Sequence, residues 1–412
     1  MRCCYRRGAP VSTNSIIIRN EGISLSRPFA VWSKEGDVAV RKRAEEERQY
    51  DLILVLVTLA LVTIGTVMVY SASSFMAMEQ RHDEYFFLKK QLVFVFLGLV
   101  AMSIMSKIPY RHIRKGAYLG IVLSFALLVL VLIPGFGITV GGATRWIRIG
   151  GFSFQATEVV KVALVLFLAH FFTKKSEHIR EFHKVFLVPL VITFAMIGMT
   201  LLQPDFGTSV VIMIVMMSML FLAGCRILYI SGVMAAFLPV GIALIMYKSY
   251  RLKRLLSFLD PWQDPNNTGF QIIQSFISFG SGGTFGVGVG NSMQKLFYLP
   301  EPHTDFIFSV IAEEGGFVAV TAVIFLFAIL IVRGFMISLA SADLFGTLLA
   351  GGLTVIIAVE VFINMACVMG LLPTKGLALP FLSYGGTSLI ISMSMIGVLL
   401  NISSSVQAGE AE

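Results

Sequence analysis

Charge is scarce in this chain. Asp, Glu, Lys and Arg make up 14% of its 412 residues, against 56% hydrophobic residues. A globular enzyme on a membrane tether needs more polar surface than that, so the composition describes an integral membrane protein. Cysteine is sparse as well, at four residues. Cys3 and Cys4 are adjacent, Cys225 falls in a loop and Cys367 in an apolar run, and none has the spacing of a disulfide framework or a metal site. Residues 1–50 lack the short apolar core of a cleavable signal peptide and read as a flexible cytoplasmic leader. A nucleotide loop is missing too. The glycines of FGSGGTFGVGVGN are followed by no GK[ST], and no strand is expected before them. A hinge, or close backbone approach to a neighbour, suits them better.

What the chain has in quantity is long apolar runs. Ten approach the length needed to cross about 30 Å of hydrocarbon: 52–71, 89–106, 116–134, 157–173, 184–202, 207–224, 228–247, 306–333, 346–370 and 380–402. The net charge of +8 is distributed by topology. Arg41, Lys42, Arg43 and Arg48 precede the first run. Lys107, Arg111, Arg114 and Lys115 separate the second from the third, and Lys174, Lys175, Arg180 and Lys184 the fourth from the fifth. Short loops of the other parity, such as Gln203-Pro204-Asp205, are poorer in Lys and Arg. The positive-inside rule then puts both termini in the cytoplasm and the segment 248–305 outside. Nucleic acid is not the partner this charge serves.

The expected fold is an all-α integral membrane bundle of about ten transmembrane helices, with a large external loop between the seventh and eighth. Residues 1–50 form the leader, 51–403 the membrane domain and 404–412 a short cytoplasmic tail. Three external segments are rich in Gly, aromatic and basic residues: 135–156 (with GGATRWIRIGGFSFQ), 248–305, and 371–379 (LLPTKGLAL).

Asp305 stands at the seam between a polar loop and the eighth run. An acid at that depth loses hydration and must find a partner or a task. It is either a general base at the outer interface or a helix-capping acid stabilised by the helix dipole. His303 either tunes it or is merely solvated. Glu158 and Lys161, three apart on one helix face, either neutralise each other for insertion or hold a phosphate. Arg145 and Arg148 around Trp146 suit diphosphate binding or interface anchoring. The same alternatives hold for Lys375 and for Arg251, Lys253 and Arg254. Glu313, Glu314 and Glu360 lie inside runs, where pairing with a base or a backbone donor is favoured over proton relay. Asn364 and Gln203 suit interhelical hydrogen bonds.

Five separated motifs, in order, carry a resemblance over nearly the whole membrane portion. They are RWIRIGGFSFQATEVVK, LLQPDFGTSVV, DPWQDPNNTGFQIIQSFISFGSGG, GVGVGNSMQKLFYLPEPHTDFIFSVIAEE and LLPTKGLALPFLSYGGTS. Together they resemble the SEDS family (shape, elongation, division and sporulation), and its division branch more than its elongation branch. The resemblance implies polymerisation of lipid II into glycan strands, with Asp305 of HTDFIF as the essential acid. It maps the family's RW arginine onto Arg145 and its helix lysine onto Lys161. Glu158, Lys375 and His303 complete the expected substrate-binding set. Asp305 is expected to take the proton of the acceptor's 4-hydroxyl while a polyprenyl diphosphate leaves with inversion. Arg145 and Lys161 compensate its charge, with a divalent cation (Mg or Mn) as an assistant and no protein metal site. Implied partners are lipid II and the nascent glycan strand, a class B penicillin-binding protein acting as transpeptidase, other division membrane proteins and membrane lipid. The implied place is the bacterial inner membrane at the division septum. Two departures stand out: Ala156-Thr157 replaces the family's Pro-Ser before Glu158, and Gly315-Gly316 are consecutive, which should loosen the eighth helix. Two rival readings remain, a lipid II flippase using the intramembrane charges and a scaffold without chemistry.

Overall fold

A computed structural model describes residues 50–410 except 141–142, 150–151, 180, 182–184, 248 and 296–301. The leader with Cys3 and Cys4, Arg180, Lys184, and the LFYLPE stretch of the fourth motif lie outside the described residues.

Twelve described helices have eleven residues or more: α1 (Leu52–Arg81), α2 (Phe86–Lys107), α3 (Ala117–Leu132), α4 (Ala156–Lys174), α5 (Leu187–Leu202), α6 (Phe206–Leu222), α7 (Ile227–Tyr247), α8 (Ser249–Leu259), α9 (Phe270–Gly282), α10 (Ile307–Ala340), α11 (Leu344–Val368) and α12 (Gly386–Glu410). Eight segments are long and apolar enough to cross a membrane, the third being Tyr110–Leu132. α5 and α6, with 16 and 17 residues, are apolar but shorter. Helix α12 continues through the stretch expected to be a tail. α8 and α9 belong to the long segment before α10, as the QIIQSFISF pattern led one to expect of α9.

The helices start where a carboxylate can accept a free backbone N–H. Leu54 N donates to Asp51 Oδ1 at 2.9 Å, Thr208 N to Asp205 Oδ1 at 3.1 Å and Gly346 N to Asp343 Oδ1 at 2.7 Å. α11 and α12 are buried over most of their length, while α7 has no fully buried residue and meets the core only along Tyr229, Ile230, Val233 and Phe237.

The chain is not wholly α. Residues expected to form a loop make a three-stranded antiparallel sheet, β1 (Gly137–Val140), β2 (Ala143–Ile149) and β3 (Phe152–Gln155), in the order β1-β2-β3. Its strands are rich in β-branched and aromatic residues, which suit a pleated, half-buried surface. They are too short to register in a search for spans. Ile147 packs with Val131 and Ala156, so the sheet is fastened to the end of α3 and the start of α4.

The consecutive glycines do more than loosen α10. Gly316 adopts φ 65°, ψ −164°, and the helix kinks there. The glycine-rich segment supplies the bonds the kink breaks. Phe317 N donates to Gly283 O at 2.9 Å and Val318 N to Thr284 O at 3.2 Å. In return Val287 N reaches Glu313 O and Gly288 N reaches Glu314 O, each at 3.0 Å. A Cβ on Gly286 would collide with Glu314 O, and one on Gly316 with the backbone of Phe285 and Gly286. The glycines are there for close backbone approach.

Candidate active site

One end of the bundle carries the sheet, the α1–α2 and α5–α6 turns, α8, α9, the start of α10 and the loop 371–379. Its buried acids are paired. Glu313 accepts hydrogen bonds from Ser292 Oγ, Met293 N (3.0 Å) and Gln294 N (3.4 Å). Glu314 accepts from Ser71 Oγ at 2.6 Å and pairs with Lys295 at 3.3 Å. These carboxylates pin the segment 292–295 to α1 and α10, as the pairing reading expected.

Asp305 is half-buried in a turn that precedes α10. The cap position of α10 is Phe306, so Asp305 is not its N-cap. The backbone around it is held by three neighbours. Asn364 Nδ2 donates to Asp305 O at 3.0 Å and to Leu377 O at 2.6 Å. Ser383 Oγ donates to Thr304 O at 2.6 Å, and Tyr384 N to His303 O at 2.9 Å. The loop 371–379 passes directly over the carboxylate, since a Cβ on Gly376 would lie 2.8 Å from Asp305 Oδ2. His303 is not solvated. Its ring is buried 4.8 Å from Phe87 and 5.6 Å from Tyr384, fixing the turn from the side of α2.

Cations gather beside this turn. In the β1–β2 register Thr139 faces Thr144 and Ile138 faces Trp146, which leaves Arg145 as the extra residue of a β-bulge. Bulges redirect a side chain out of the ladder. Arg145 Nε lies 3.3 Å from Asp205 Oδ2, and Nη2 donates to Pro204 O at 3.4 Å. Its Nε–H is misaligned for a hydrogen bond and has no partner among the described residues. Arg148 is exposed. Lys375 is half-buried with Nζ 5.2 Å from the Phe206 ring. Burial holds its ammonium below the usual lysine range, while Cys367 and Asp205 oppose that shift.

Glu158 and Lys161 belong to a buried ion cluster in the bundle. Lys161 is 2% exposed, and its Nζ pairs with Glu158 at 2.8 Å and with Glu360 on α11. The insertion pairing is therefore the one formed, extended by a second acid. Glu360 stands one helical turn along α11 from Asn364, the residue that binds Asp305 O and Leu377 O. Gln203 Nε2 donates to Leu128 O at 3.0 Å, joining the α5–α6 turn to α3.

Sequence reasoning missed Asp205 and Phe206 as site residues and Glu360 as the second partner of Lys161. The signal for Asp205 was a carboxylate in an otherwise apolar turn within LLQPDFGTSVV, which was counted only for its lack of Lys and Arg. Among the described residues no three His, Cys, Asp or Glu side chains converge to ligate a metal. Asp205 is engaged with Thr208 and Arg145, so these residues do not fit a protein-held divalent cation.

A family model described as a cell cycle protein, covering FtsW, RodA and SpoVE, matches residues 51–408. The chain is 48% identical over 359 residues to a Trichlorobacter lovleyi protein named "Probable peptidoglycan glycosyltransferase FtsW", covering 87% of this chain and 94% of that one. It is 45% identical over 353 residues to stage V sporulation protein E of Bacillus subtilis, covering 86% and 96%. Among solved structures it is similar to a chain of a peptidoglycan synthase complex that coordinates polymerization and crosslinking. That match has a TM-score of 0.72, 32% identity and coverage of 87% and 98%. It is also similar to the rod shape determining protein RodA of Thermus thermophilus, with a TM-score of 0.64, 28% identity and coverage of 86% and 97%.

Proposed function

The chain belongs to the cell cycle protein family of FtsW, RodA and SpoVE, and from that premise we propose that it is the division-type peptidoglycan glycosyltransferase, polymerising lipid II at the outer face of the cytoplasmic membrane. One observation carries the reading: Asp305 sits in a turn held by its neighbours, under a loop whose preceding residue, Lys375, lies over the ring of Phe206, next to the Asp205 that pairs with Arg145 of the bulge. A base thus stands beside a cationic site.

In this reading α5 and α6 complete ten spans, and the segment 248–305 faces outward. Asp305 takes the proton from the acceptor's 4-hydroxyl as that oxygen attacks the anomeric carbon of the growing strand's terminal sugar. The anomeric carbon–oxygen bond breaks, its electron pair leaves on the polyprenyl diphosphate, and configuration inverts from α to β. A diphosphate leaves as a stabilised anion, so no protonating acid is required. It needs positive charge, which Arg145 and Lys375 supply. His303 keeps the turn in place, and Lys161 with Glu158 supports the bundle beneath. Because the similar complex couples polymerization to crosslinking, the proposed partner is a class B penicillin-binding protein at the septum.

The test is to incubate the purified protein and its cognate transpeptidase with labelled lipid II and resolve products by size. A ladder of strands is expected. Transport of lipid II across vesicles with no ladder would favour the flippase, and neither outcome would favour a scaffold.

A pH dependence follows from Lys375. Its depressed pKa means it loses its proton at a lower pH than a free lysine, so kcat/KM should fall on the alkaline side. Lys375→Arg, with a guanidinium charged above pH 12, should move that alkaline limb to higher pH. An unmoved limb in a pH–rate profile would take Lys375 out of the site.

A further inference from the structure

Three cations from three distant segments meet on the turn 204–206. Arg145 comes from the β2 bulge, Lys375 from the loop 371–379, and the third is Arg251 from the first turn of α8. Its guanidinium carbon lies 5.2 Å from the Phe206 ring, the same separation as Lys375 Nζ. Both are within cation–π reach of one ring. Arg251 Nη1 also donates to Leu244 O at 3.0 Å, near the end of α7, which fixes where the guanidinium points.

We propose that the 204–206 turn is the seat of the polyprenyl diphosphate leaving group and that Arg251 is a ligand of that diphosphate. The proposal rests on the glycosyltransferase reading and adds a residue to it. Arg145 pairs with the carboxylate of Asp205 at 3.3 Å, Lys375 and Arg251 both lie over the adjoining Phe206 ring, and Arg145 keeps an N–H without a hydrogen bond. Cations brought this close to one another repel, and an anion placed among them is attracted by all three. A diphosphate offers planar, bidentate acceptors that suit guanidinium groups. It also gains negative charge when the anomeric bond breaks and the electron pair moves onto its oxygen. A further cation therefore matters most for the departing form.

Helix α8 has the right character to deliver it. Leu256 and Leu259 are exposed on one side, with Lys253 and Arg254 exposed on another. Such a helix lies at a bilayer surface with its basic face at headgroup level. Asp205 serves as placeholder: it holds Arg145 on the turn until a diphosphate takes its place.

The test titrates undecaprenyl diphosphate into the detergent-solubilised full chain and follows tryptophan emission, Trp146 being next to Arg145. Arg251→Ala should weaken binding roughly tenfold, Arg251→Lys should recover part of the loss, and Lys253→Ala should bind like wild type. In polymerisation, Arg251→Ala should relieve inhibition by undecaprenyl diphosphate more than it raises the KM for lipid II. Arg251→Gln replaces the alanine variant if the latter aggregates. Unchanged binding by Arg251→Ala would overturn the proposal. Equal losses from Arg251→Ala and Lys253→Ala, or displacement by phosphatidylglycerol vesicles, would make this a bulk-lipid contact instead. A wild type that makes ladders but does not bind the diphosphate sinks the seat and leaves the function. Binding without ladders does the reverse.

Discussion

Asp305→Ala should abolish the ladder while leaving the melting temperature near that of wild type. The carboxylate is half-buried and is not the cap of α10. What fixes the turn is its backbone, through Asn364, Ser383 and Tyr384, and those bonds survive truncation of the side chain. Loss of a positioned base costs about 10²–10⁴ in rate. Asp305→Asn should fail as completely, since the amide keeps the shape and cannot take a proton. Asp305→Glu should lose most of the rate as well, because the longer side chain moves the carboxylate away from the position the held turn gives it. The measurement is initial rate of strand formation beside thermal melting in detergent. A ladder from Asp305→Asn within tenfold of wild type would send the search for the base elsewhere at this end of the bundle.

Lys161→Met should be the most destabilising substitution in the membrane core. Lys161 lies between Glu158 and Glu360, all three buried. Removing the ammonium leaves two carboxylates facing each other without a counter-charge, and breaking a buried pair this way costs about 3–5 kcal/mol. The expected result is a large drop in melting temperature or aggregation on purification. Replacing all three (Glu158→Gln, Lys161→Met and Glu360→Gln) removes every charge at once and should restore most of the stability. The triple variant also decides whether Lys161 touches substrate. Polymer formation by a refolded triple variant would confine Lys161 to support of the bundle. A stable triple variant without polymer would return it to the diphosphate, where the family resemblance put it.

The sequence reported the fold well where one kind of physics dominated. The apolar runs led to helices at each expected place. The sheet escaped because four- to seven-residue strands carry a period-2 signal too short to stand out among long apolar runs. Asp305 was visible because an acid at the edge of an apolar run is costly. Arg145 and Lys375 were visible as cations in aromatic and glycine-rich loops. Their meeting place was not, because Asp205 and Phe206 gather them only after α5, α6, β2 and the loop 371–379 are packed. Lys161 shows the opposite case. Its spacing from Glu158 was legible, but Glu360 lies about two hundred positions later, so only the fold could show that the lysine is already doubly paired. For the glycine-rich segment the sequence left a hinge and close backbone approach both open, and only the kink in α10 decides for close approach.

The brevity of α5 and α6 has a consequence for the bilayer itself. At 16 and 17 residues they rise about 24–26 Å, short of the roughly 30 Å of hydrocarbon around them. Lipid beside a short span thins to match it. The turn joining these two helices is the one that carries Asp205 and Phe206. Such thinning would draw the membrane surface on that flank toward the cations, and with the proposed diphosphate seat there a polyprenyl chain would stay at rest in the leaflet while its headgroup docks. The reaction then needs no work to lift a lipid out of the membrane.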